Sequence, residues 1–197
     1  METGFSILKL SLCLGLVVVV SCAQAPAPWN PSNGMRPGTC DHYECPTYKL
    51  VEAGYAYEIR MYDTAVWMST SPISAKSMTQ ATKTGFQRLF SYIQGQNKDK
   101  VKMNMTSPNQ QNPPQADDLH VQTWKPSYVA VRQLGGYVSD NDAKIEAAAL
   151  MDSLKGTQWV LPIEKSKGKS PAYLVADYNP PSQTTARVNE ILVPFTM

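Results

Sequence analysis

Hydrophobic and polar residues begin to alternate near residue 48. One face of this alternation carries Tyr55, Tyr57, Ile59 and Met61, and the other carries Ala56, Glu58 and Arg60. A period of two residues predicts a β-strand with one buried face. A turn at Asp63 and Thr64 separates this strand from a second predicted strand, which contains Val66, Met68 and Thr70.

The period then changes to that of a helix, from about residue 77 to residue 94. Apolar or small residues recur there at spacings of three, four and seven, at Met78, Gly85, Phe86, Leu89, Phe90 and Ile93. Such a stripe predicts an amphipathic α-helix that packs on a sheet. Gly95 stands where a glycine commonly ends a helix.

A second strand and helix follow in the same order. Residues 128–134 predict a strand, which Gly135 and Gly136 end. A helix capped by Asp140 or Asn141 is expected to reach Lys155. Its apolar side is formed by Ile145, Ala148, Leu150, Met151 and Leu154.

Two further strands are predicted near the C-terminus, at residues 172–178 and 188–195, and two prolines end the first of them. The order strand, helix, strands therefore occurs twice. This order predicts an α+β domain with internal pseudo-symmetry.

The first 25 residues have the pattern of a secretory signal peptide. An apolar run at residues 10–20 follows Lys9, and the small-residue site Ala23-Gln24-Ala25 comes after it. The run is short for a membrane span, so cleavage after Ala25 is the prediction. An uncleaved anchor and a bacterial lipoprotein attached through Cys22 are alternatives. A proline-rich arm at 26–44 and one domain at 45–197 would then form the mature chain.

Composition excludes some classes of function. The 197 residues hold 18 Lys+Arg and 16 Asp+Glu, a net charge of +2. A nucleic-acid binder would carry a basic face, so no nucleic-acid partner is expected. With 43% hydrophobic residues the chain can bury a core. Its 15 prolines and 11 glycines favour strands and turns over a helical bundle.

Secretion would leave Cys40 and Cys45 as the mature cysteines. Two nearby thiols in an oxidising compartment predict a disulfide. The alternative is a metal site that includes His42, although a fourth ligand is missing. Asn104 begins an N-glycosylation sequon, and entry into the secretory pathway would lead to the extracellular space, the cell wall or a vacuole.

Several motifs together resemble the SOUL haem-binding protein family. They are Tyr57-Glu58-Ile59-Arg60-Met61-Tyr62, Trp67, the run from Gly85 to Gly95, Lys102-Met103-Asn104-Met105-Thr106-Ser107-Pro108, Tyr178-Asn179-Pro180-Pro181 and Arg187-Val188-Asn189-Glu190-Ile191. The resemblance covers roughly residues 45–197. The segment Cys45-Pro46-Thr47-Tyr48 and the signal peptide are similar to a secreted plant branch of that family.

The resemblance implies a distorted antiparallel β-barrel flanked by two helices. It also implies non-covalent binding of haem or another tetrapyrrole in an apolar groove beside the first helix. Lys83 and Phe86 match groove-lining positions, Phe90 would extend the apolar floor, and Arg88 is a second candidate cation for the propionates. Each of these four residues could equally be an ordinary core or surface residue of the helix.

Two positions depart from the family pattern. Met61 stands in a segment where some members carry a histidine considered as the iron ligand, so Met61 is a candidate ligand and equally an apolar strand residue. Residues 109–118 are shorter than the family's segment, which includes a strand. Either the barrel is open there, or a neighbour replaces the strand, or the sequence is a shortened isoform or an inaccurate gene model.

Three functions are compatible with these observations. The first is a secreted tetrapyrrole carrier or buffer that is not an enzyme. The second is an interaction or structural protein that has lost the ligand. The third is an enzyme, although the chain has no nucleophile elbow, metalloprotease helix, phosphate loop or dinucleotide fingerprint. Glu58 and Glu190 could supply acid and base for it, or simply form the polar side of their strands.

Overall fold

The computed structural model describes residues 36–105, 113–168, 171–180 and 182–197. The predicted signal peptide and the first part of the arm lie outside the described residues. The elements in chain order are a 3-10 turn Gly38–Asp41, β1 Tyr48–Ala53, β2 Glu58–Tyr62, β3 Ala65–Thr70, α1 Met78–Ile93, β4 Leu119–Trp124, β5 Ser127–Gly135, α2 Asp140–Ser153, α3 Val160–Ser166, β6 Leu174–Asp177 and β7 Val188–Phe195.

The strands form two antiparallel sheets. Five of them form a sheet in the order β1-β2-β5-β7-β6, while β3 and β4 form a separate pair. Tyr62 lies opposite Ser127 and Ala65 opposite Trp124, so the β3–β4 pair continues the β2–β5 register. Pro126 falls at the interruption, where its missing N–H removes a ladder hydrogen bond. We call β3 and β4 together the ribbon.

The main core lies on one face of the five-stranded sheet, the Ile59 face. Ile59 on β2, Ala130 on β5 and Val193 on β7 lie side by side and are at most 7% exposed. The helices α2 and α3 cover this face with Leu150, Leu154, Trp159 and Ile163. The apolar side of these alternating strands thus packs against a layer of helices, as a period of two residues predicts.

Capping side chains fix both long helices. Ser77 accepts a hydrogen bond from the Gln80 N–H at the start of α1, and Gly95 beyond its end has a φ of +99°. The predicted bounds of α1 are therefore confirmed. The Asp140 carboxylate accepts the Met78 N–H at 3.0 Å, which joins the starts of α1 and α2.

The predicted N-cap of α2 is wrong by one or two residues. Ser139, not Asp140 or Asn141, caps the helix, and it forms a reciprocal capping box with Asp142. The Asp142 carboxylate accepts a hydrogen bond from the Ser139 N–H at 3.0 Å, which stabilises the first turn of the helix. The glycine predicted beyond the end of the helix, Gly156, has a φ of +76°, as a helix stop requires.

Two features of the expected fold are corrected. The α+β class is confirmed, but within the described residues the sheets do not close into a barrel. A third helix, α3, joins the two that were predicted. It has seven residues and contains Pro162, so it lacks a periodic stripe long enough to read in the sequence.

A disulfide joins Cys40 to Cys45 in the N-terminal arm, as predicted. Arg36 steadies the same turn, since its guanidinium donates to the Asp41 carboxylate at 2.6 Å and to the Cys40 carbonyl at 2.5 Å. A metal site on these two cysteines is incompatible with the disulfide, because a metal binds the free thiolate. His42, which would have been its third ligand, is exposed.

None of the described helices combines the length and apolar character that a membrane crossing requires. The apolar run at residues 10–20 lies outside the described residues, as does Thr106 of the predicted sequon. Asn104 itself is exposed. Of the shortened 109–118 segment, residues 113–118 are described.

Candidate functional site

The exposed face of α1 brings three of the predicted site residues together. At about 100° per residue, Lys83, Phe86 and Phe90 fall within about 60° of one another around the helix axis. The two phenylalanine rings stack with their centroids 5.7 Å apart and an interplanar angle of 15°. Phe90 is 41% exposed and Phe86 is half-buried, so the stack is partly open to solvent. We call these three residues the α1 face.

The opposite side of α1 packs on the ribbon. A side chain at Gly85 would approach Ile73 at 3.4 Å and Thr70 at 3.9 Å, so this part of the helix lies close to the end of β3. Gly85 therefore permits the close approach, while Phe86 at the next position is half-buried.

The α1 face can hold a flat apolar ligand that carries an anionic edge. A stacked aromatic pair provides apolar area, and an exposed lysine on the same side provides a mobile cation. A tetrapyrrole macrocycle with propionates fits this donor set. An axial iron ligand is not part of it, because the segment from Lys83 to Ile93 contains neither histidine nor methionine.

Two predicted site residues lie elsewhere. Arg88 is exposed but lies about 140° around the helix from Lys83. Met61 lies in β2 opposite Tyr128, on the Ile59 face that α2 and α3 cover. Tyr128 in turn packs its ring 6.3 Å from that of Trp159. The structure thus does not bring Arg88 or Met61 to the α1 face.

The loop after α1 places Met103 next to the last residue of the helix. The Asn97 side chain holds the loop by accepting the Val101 N–H at 3.1 Å and donating to the Val101 carbonyl at 2.7 Å. The Met103 N–H then donates to the Ile93 carbonyl at 2.8 Å. Met105 is 40% exposed and Val101 48%, so apolar surface continues beyond the helix.

His120, the other histidine of the chain, is exposed on β4. It lines an open depression of about 300 Å³, together with Lys98, Pro113, Gln115, Ala116, Leu119 and Val121. None of these residues belongs to α1. His120 is therefore not placed on the α1 face.

A charged cluster is buried on the other face of the five-stranded sheet, which we call the Arg60 face. Arg60, Glu58 and Glu190 are all 0% exposed. The Arg60 guanidinium donates from Nε to Glu58 at 2.7 Å, and from Nη1 and Nη2 to the two oxygens of Glu190 at 3.0 and 2.9 Å. Arg60 and Glu190 stand on β2 and β7, so the bond reaches across the intervening strand β5.

Three tyrosines complete this cluster. Tyr178 donates its hydroxyl to Glu190 at 2.7 Å, and the Tyr62 hydroxyl accepts from Arg60 at 3.1 Å. Tyr48 lies under the guanidinium, with its ring centroid 4.2 Å from Arg60 Cζ. We call these six residues the Arg60 cluster.

Burial and charge change the ionisation of the cluster. Desolvation would lower the pKa of Arg60, but the Glu190 carboxylate holds that pKa above its usual value. Burial raises the pKa of Tyr62 to about 12, partly opposed by Arg60. Burial and the Glu190 charge also raise the pKa of Tyr178. The tyrosines therefore stay neutral well above the pH at which exposed tyrosines ionise.

The cluster corrects the interpretation of Glu58 and Glu190 as the polar sides of solvated strands. Alternation located their face correctly, but that face is buried and the charges are paired. Both carboxylates bind Arg60 and have no exposed surface, so neither can meet a substrate as an acid or base. A signal in the sequence could have found the cluster. Arg60 stands two residues after Glu58 in one family motif, and a second acidic residue, Glu190, stands in another.

The fold is of the α+β class, and the α1 face carries a stacked pair of aromatic rings on the same side of the helix as an exposed lysine. The chain belongs to the family described as SOUL heme-binding protein, whose model matches residues 43–194. This confirms the family resemblance, and it agrees with the expectation that the protein is not an enzyme.

Three curated relatives are similar to parts of the chain. Heme-binding protein 2 of Homo sapiens is 47% identical over 53 residues, which are 27% of this chain and 25% of that protein. Heme-binding protein 2 of Mus musculus is 36% identical over 83 residues, 40% of each chain. Heme-binding protein 1 of Xenopus laevis is 27% identical over 166 residues, 70% of this chain and 83% of that protein. The chain thus spans less than half of the two mammalian relatives.

Removing the central cation should destabilise the fold strongly. Arg60→Met leaves two buried carboxylates without their partner, which typically costs about 3–5 kcal/mol of unfolding free energy. Urea unfolding followed by circular dichroism measures the change. Arg88→Met is the matched control, because it removes an exposed guanidinium and should change stability by no more than ~0.5 kcal/mol. Equal effects of the two variants would contradict a structural role for the cluster.

The tyrosines of the cluster should make stability fall at alkaline pH. A tyrosine with a folded pKa near 12 and an unfolded pKa near 10 keeps its proton only in the folded state between these values. Its stabilising contribution is therefore complete below pH 10 and is lost as pH rises toward 12.

Unfolding free energies at a series of pH values from 8 upward measure this loss. Tyr62→Phe should make the alkaline decline shallower, because the group that titrates is gone. Tyr55→Phe is the control, since Tyr55 is 95% exposed and should leave the slope unchanged. An identical decline in the Tyr62→Phe protein would contradict the assignment.

Proposed function

We propose that this protein binds haem or a related tetrapyrrole non-covalently through the α1 face and acts as a secreted carrier or buffer. The observation that carries the proposal is the partly open Phe86–Phe90 stack with Lys83 on the same side of the helix. Membership of a family described as heme-binding supports the choice of ligand, and so do the names of the three relatives.

The macrocycle would lie against the two phenylalanine rings. Its apolar area would cover rings that are now partly exposed to water, and about 25 cal/mol is gained for each Å² of apolar surface removed from water. The Lys83 ammonium would pair with a propionate at the edge of the ligand. A surface pair of this kind contributes ~0.2–1 kcal/mol and weakens in salt. Contact with the rings therefore supplies most of the affinity.

Iron would contribute little to this binding mode. Haem supplies redox and ligand-binding chemistry through its iron, but the α1 face offers no side chain to ligate it. Met61, the sequence candidate, lies on the covered Ile59 face. The protein's own residues would hold the ring, orient its propionates and leave the metal without an axial bond from α1.

An absorbance titration with haemin and with protoporphyrin IX tests the proposal. Both ligands should bind one to one with affinities within a few fold of each other, because the contacts are made to the ring. Phe86→Ala should weaken both by roughly tenfold through lost apolar contact, and Lys83→Glu should weaken both by several fold and more at low salt.

Arg88→Glu is the matched charge-reversal control for Lys83→Glu. It makes the same change on the same helix but about 140° away, and it should leave both affinities unchanged. Met61→Leu should likewise have no effect. No saturable binding beyond an unrelated barrel protein would overturn the tetrapyrrole proposal.

An absorbance spectrum showing that the protein ligates the iron of haemin would contradict only the proposed binding mode, in which contacts are made to the ring. Met103→Leu and Met105→Leu would then identify the ligand, because Met103 is hydrogen-bonded to the end of α1. Loss of the spectrum in one of these variants, with protoporphyrin binding unchanged, would assign that sulfur to the iron.

Secretion is the second part of the proposal and rests on the N-terminal sequence and on the Cys40–Cys45 disulfide. Expression of the full-length chain in a eukaryotic secretory host should yield a product in the medium that begins at Pro26. Mass spectrometry of the intact product measures this. Retention of residues 1–25, or a lipid on Cys22, would favour the anchor or the lipoprotein instead.

A further inference from the structure

The positive charge of the chain is concentrated in the segment that contains α1. Residues 64–105 hold six Lys+Arg and one Asp, whereas the rest of the chain holds 12 Lys+Arg and 15 Asp+Glu. The net charge of this segment is therefore +5 and that of the remainder −3. Such an asymmetry indicates an anionic partner for the positive part of the molecule.

Exposed apolar side chains lie at the C-terminal end of the same helix. Phe90 in the last turn of α1 is 41% exposed, and Val101 and Met105 in the loop after it are 48% and 40% exposed. The Asn97 amide holds this loop against the last turn, because it donates to the carbonyls of Tyr92 at 3.0 Å and of Val101 at 2.7 Å. The loop is bonded to the helix again two residues before Met105.

Two lysines flank the exposed valine of this loop. Lys100 and Lys102 are exposed and form no ion pair with any residue that the structure describes. The Lys102 Cγ lies 3.5 Å from the place that a Cβ on Gly95 would occupy, which puts it at the end of α1. Lys98 already pairs with a carboxylate at 3.2 Å, and Asp99 is the one acid of the loop. We give the name end patch to Phe90, Lys100, Val101, Lys102 and Met105.

Apolar side chains that alternate with lysines fit the surface of an anionic membrane. The apolar groups gain free energy by entering the boundary between headgroups and acyl chains, while the lysines next to them are attracted to the anionic headgroups. A nucleic acid fits the end patch less well, because the aliphatic side chains of Val101 and Met105 cannot stack on bases as aromatic rings do.

We propose that the end patch binds the surface of anionic membranes. Phe90, Val101 and Met105 enter the outer part of the acyl-chain region, and Lys100 and Lys102 lie against the headgroups. The proposal is independent of tetrapyrrole binding, since the loop residues of the end patch are not part of the α1 face. Phe90 belongs to both surfaces, so the variants below leave it unchanged.

Cosedimentation with vesicles tests the contact with lipid. The parent protein and all variants are recovered from the secretory host described above, so that their N-terminus is the same. Binding to vesicles of phosphatidylcholine mixed with phosphatidylserine should exceed binding to phosphatidylcholine alone roughly thirtyfold, and added salt should reduce the difference. No binding to the anionic vesicles, or equal binding to both kinds, would overturn the proposal.

Charge reversal tests the two lysines. A lysine near an anionic surface contributes a factor of about five to binding, so Lys100→Glu/Lys102→Glu should weaken binding to the anionic vesicles by roughly thirtyfold or more. Lys144→Glu/Lys165→Glu is the matched control. It changes the net charge equally at exposed positions of α2 and α3 and should alter binding no more than about twofold. Equal losses in the two double variants would overturn the end patch as the binding surface.

An apolar variant tests the entry of the loop into the membrane. Val101→Ser should weaken binding to the anionic vesicles about tenfold, and the bonds to Asn97 remain because they are made to the backbone of Val101. Val51→Ser on β1 is the control, since Val51 is 40% exposed and lies outside the end patch. An unchanged affinity of the Val101→Ser protein would overturn the proposal.

Two further measurements distinguish a membrane from other occupants of the end patch. Soluble glycerophosphoserine at constant ionic strength should not displace the protein from the vesicles, because it offers no apolar region. Sedimentation without vesicles should give the same mass for the parent and Val101→Ser proteins. Displacement by the soluble headgroup, or a parent dimer that Val101→Ser dissociates, would overturn the membrane as the partner.

Discussion

The rest of the structure depends on the buried bond between Arg60 and Glu190. It joins β2 to β7 across β5, and through Tyr48 and Tyr178 the same cluster reaches β1 and the end of β6. Four of the five strands are thus tied to one guanidinium on the face that α2 and α3 do not cover. Because a buried cation without partners is very costly, a strand order that did not bring both carboxylates to Arg60 would be disfavoured. The cluster selects this arrangement, while apolar burial on the Ile59 face supplies most of the stabilisation.

The sequence predicts the elements well where periodicity is long. The stripe of α1 and the strand at Val188–Phe195 were located within a residue or two, because one apolar face repeats over several turns or pleats. Periodicity does not predict α3, because seven residues are too few for an apolar stripe to repeat. It also does not predict the burial of Glu58 and Glu190, because alternation shows which face of the strand they share but not what covers that face. Barrel closure also could not be predicted, since it depends on pairing between distant strands rather than on any local pattern.

The candidate site was predicted in part for the same reason. Lys83, Phe86 and Phe90 share a face because helix geometry fixes their spacing, and this could be read from the numbers alone. By the same geometry Arg88 lies about 140° around the helix from Lys83, so it does not share that face. Met61 could be placed only with the register of β2 against β5, which puts it opposite Tyr128 on the Ile59 face. The family motifs therefore identify the family of the chain, but they do not show which of the candidate residues share one surface.

The α1 face and the ribbon lie on the same part of the fold, which differs in burial from the rest. On α1, Phe90 is 41% exposed and Phe86 is half-buried, and in the ribbon five of the six residues of β4 are exposed. The fully buried side chains belong instead to β2, β5, β7 and the helices that cover them. Binding surfaces need apolar groups in contact with water, and such exposure is tolerated only where other elements supply stability. Most of the residues that form the core on the Ile59 face, and all six of the Arg60 cluster, lie outside α1 and the ribbon, so most of α1 and the ribbon can present those groups to water.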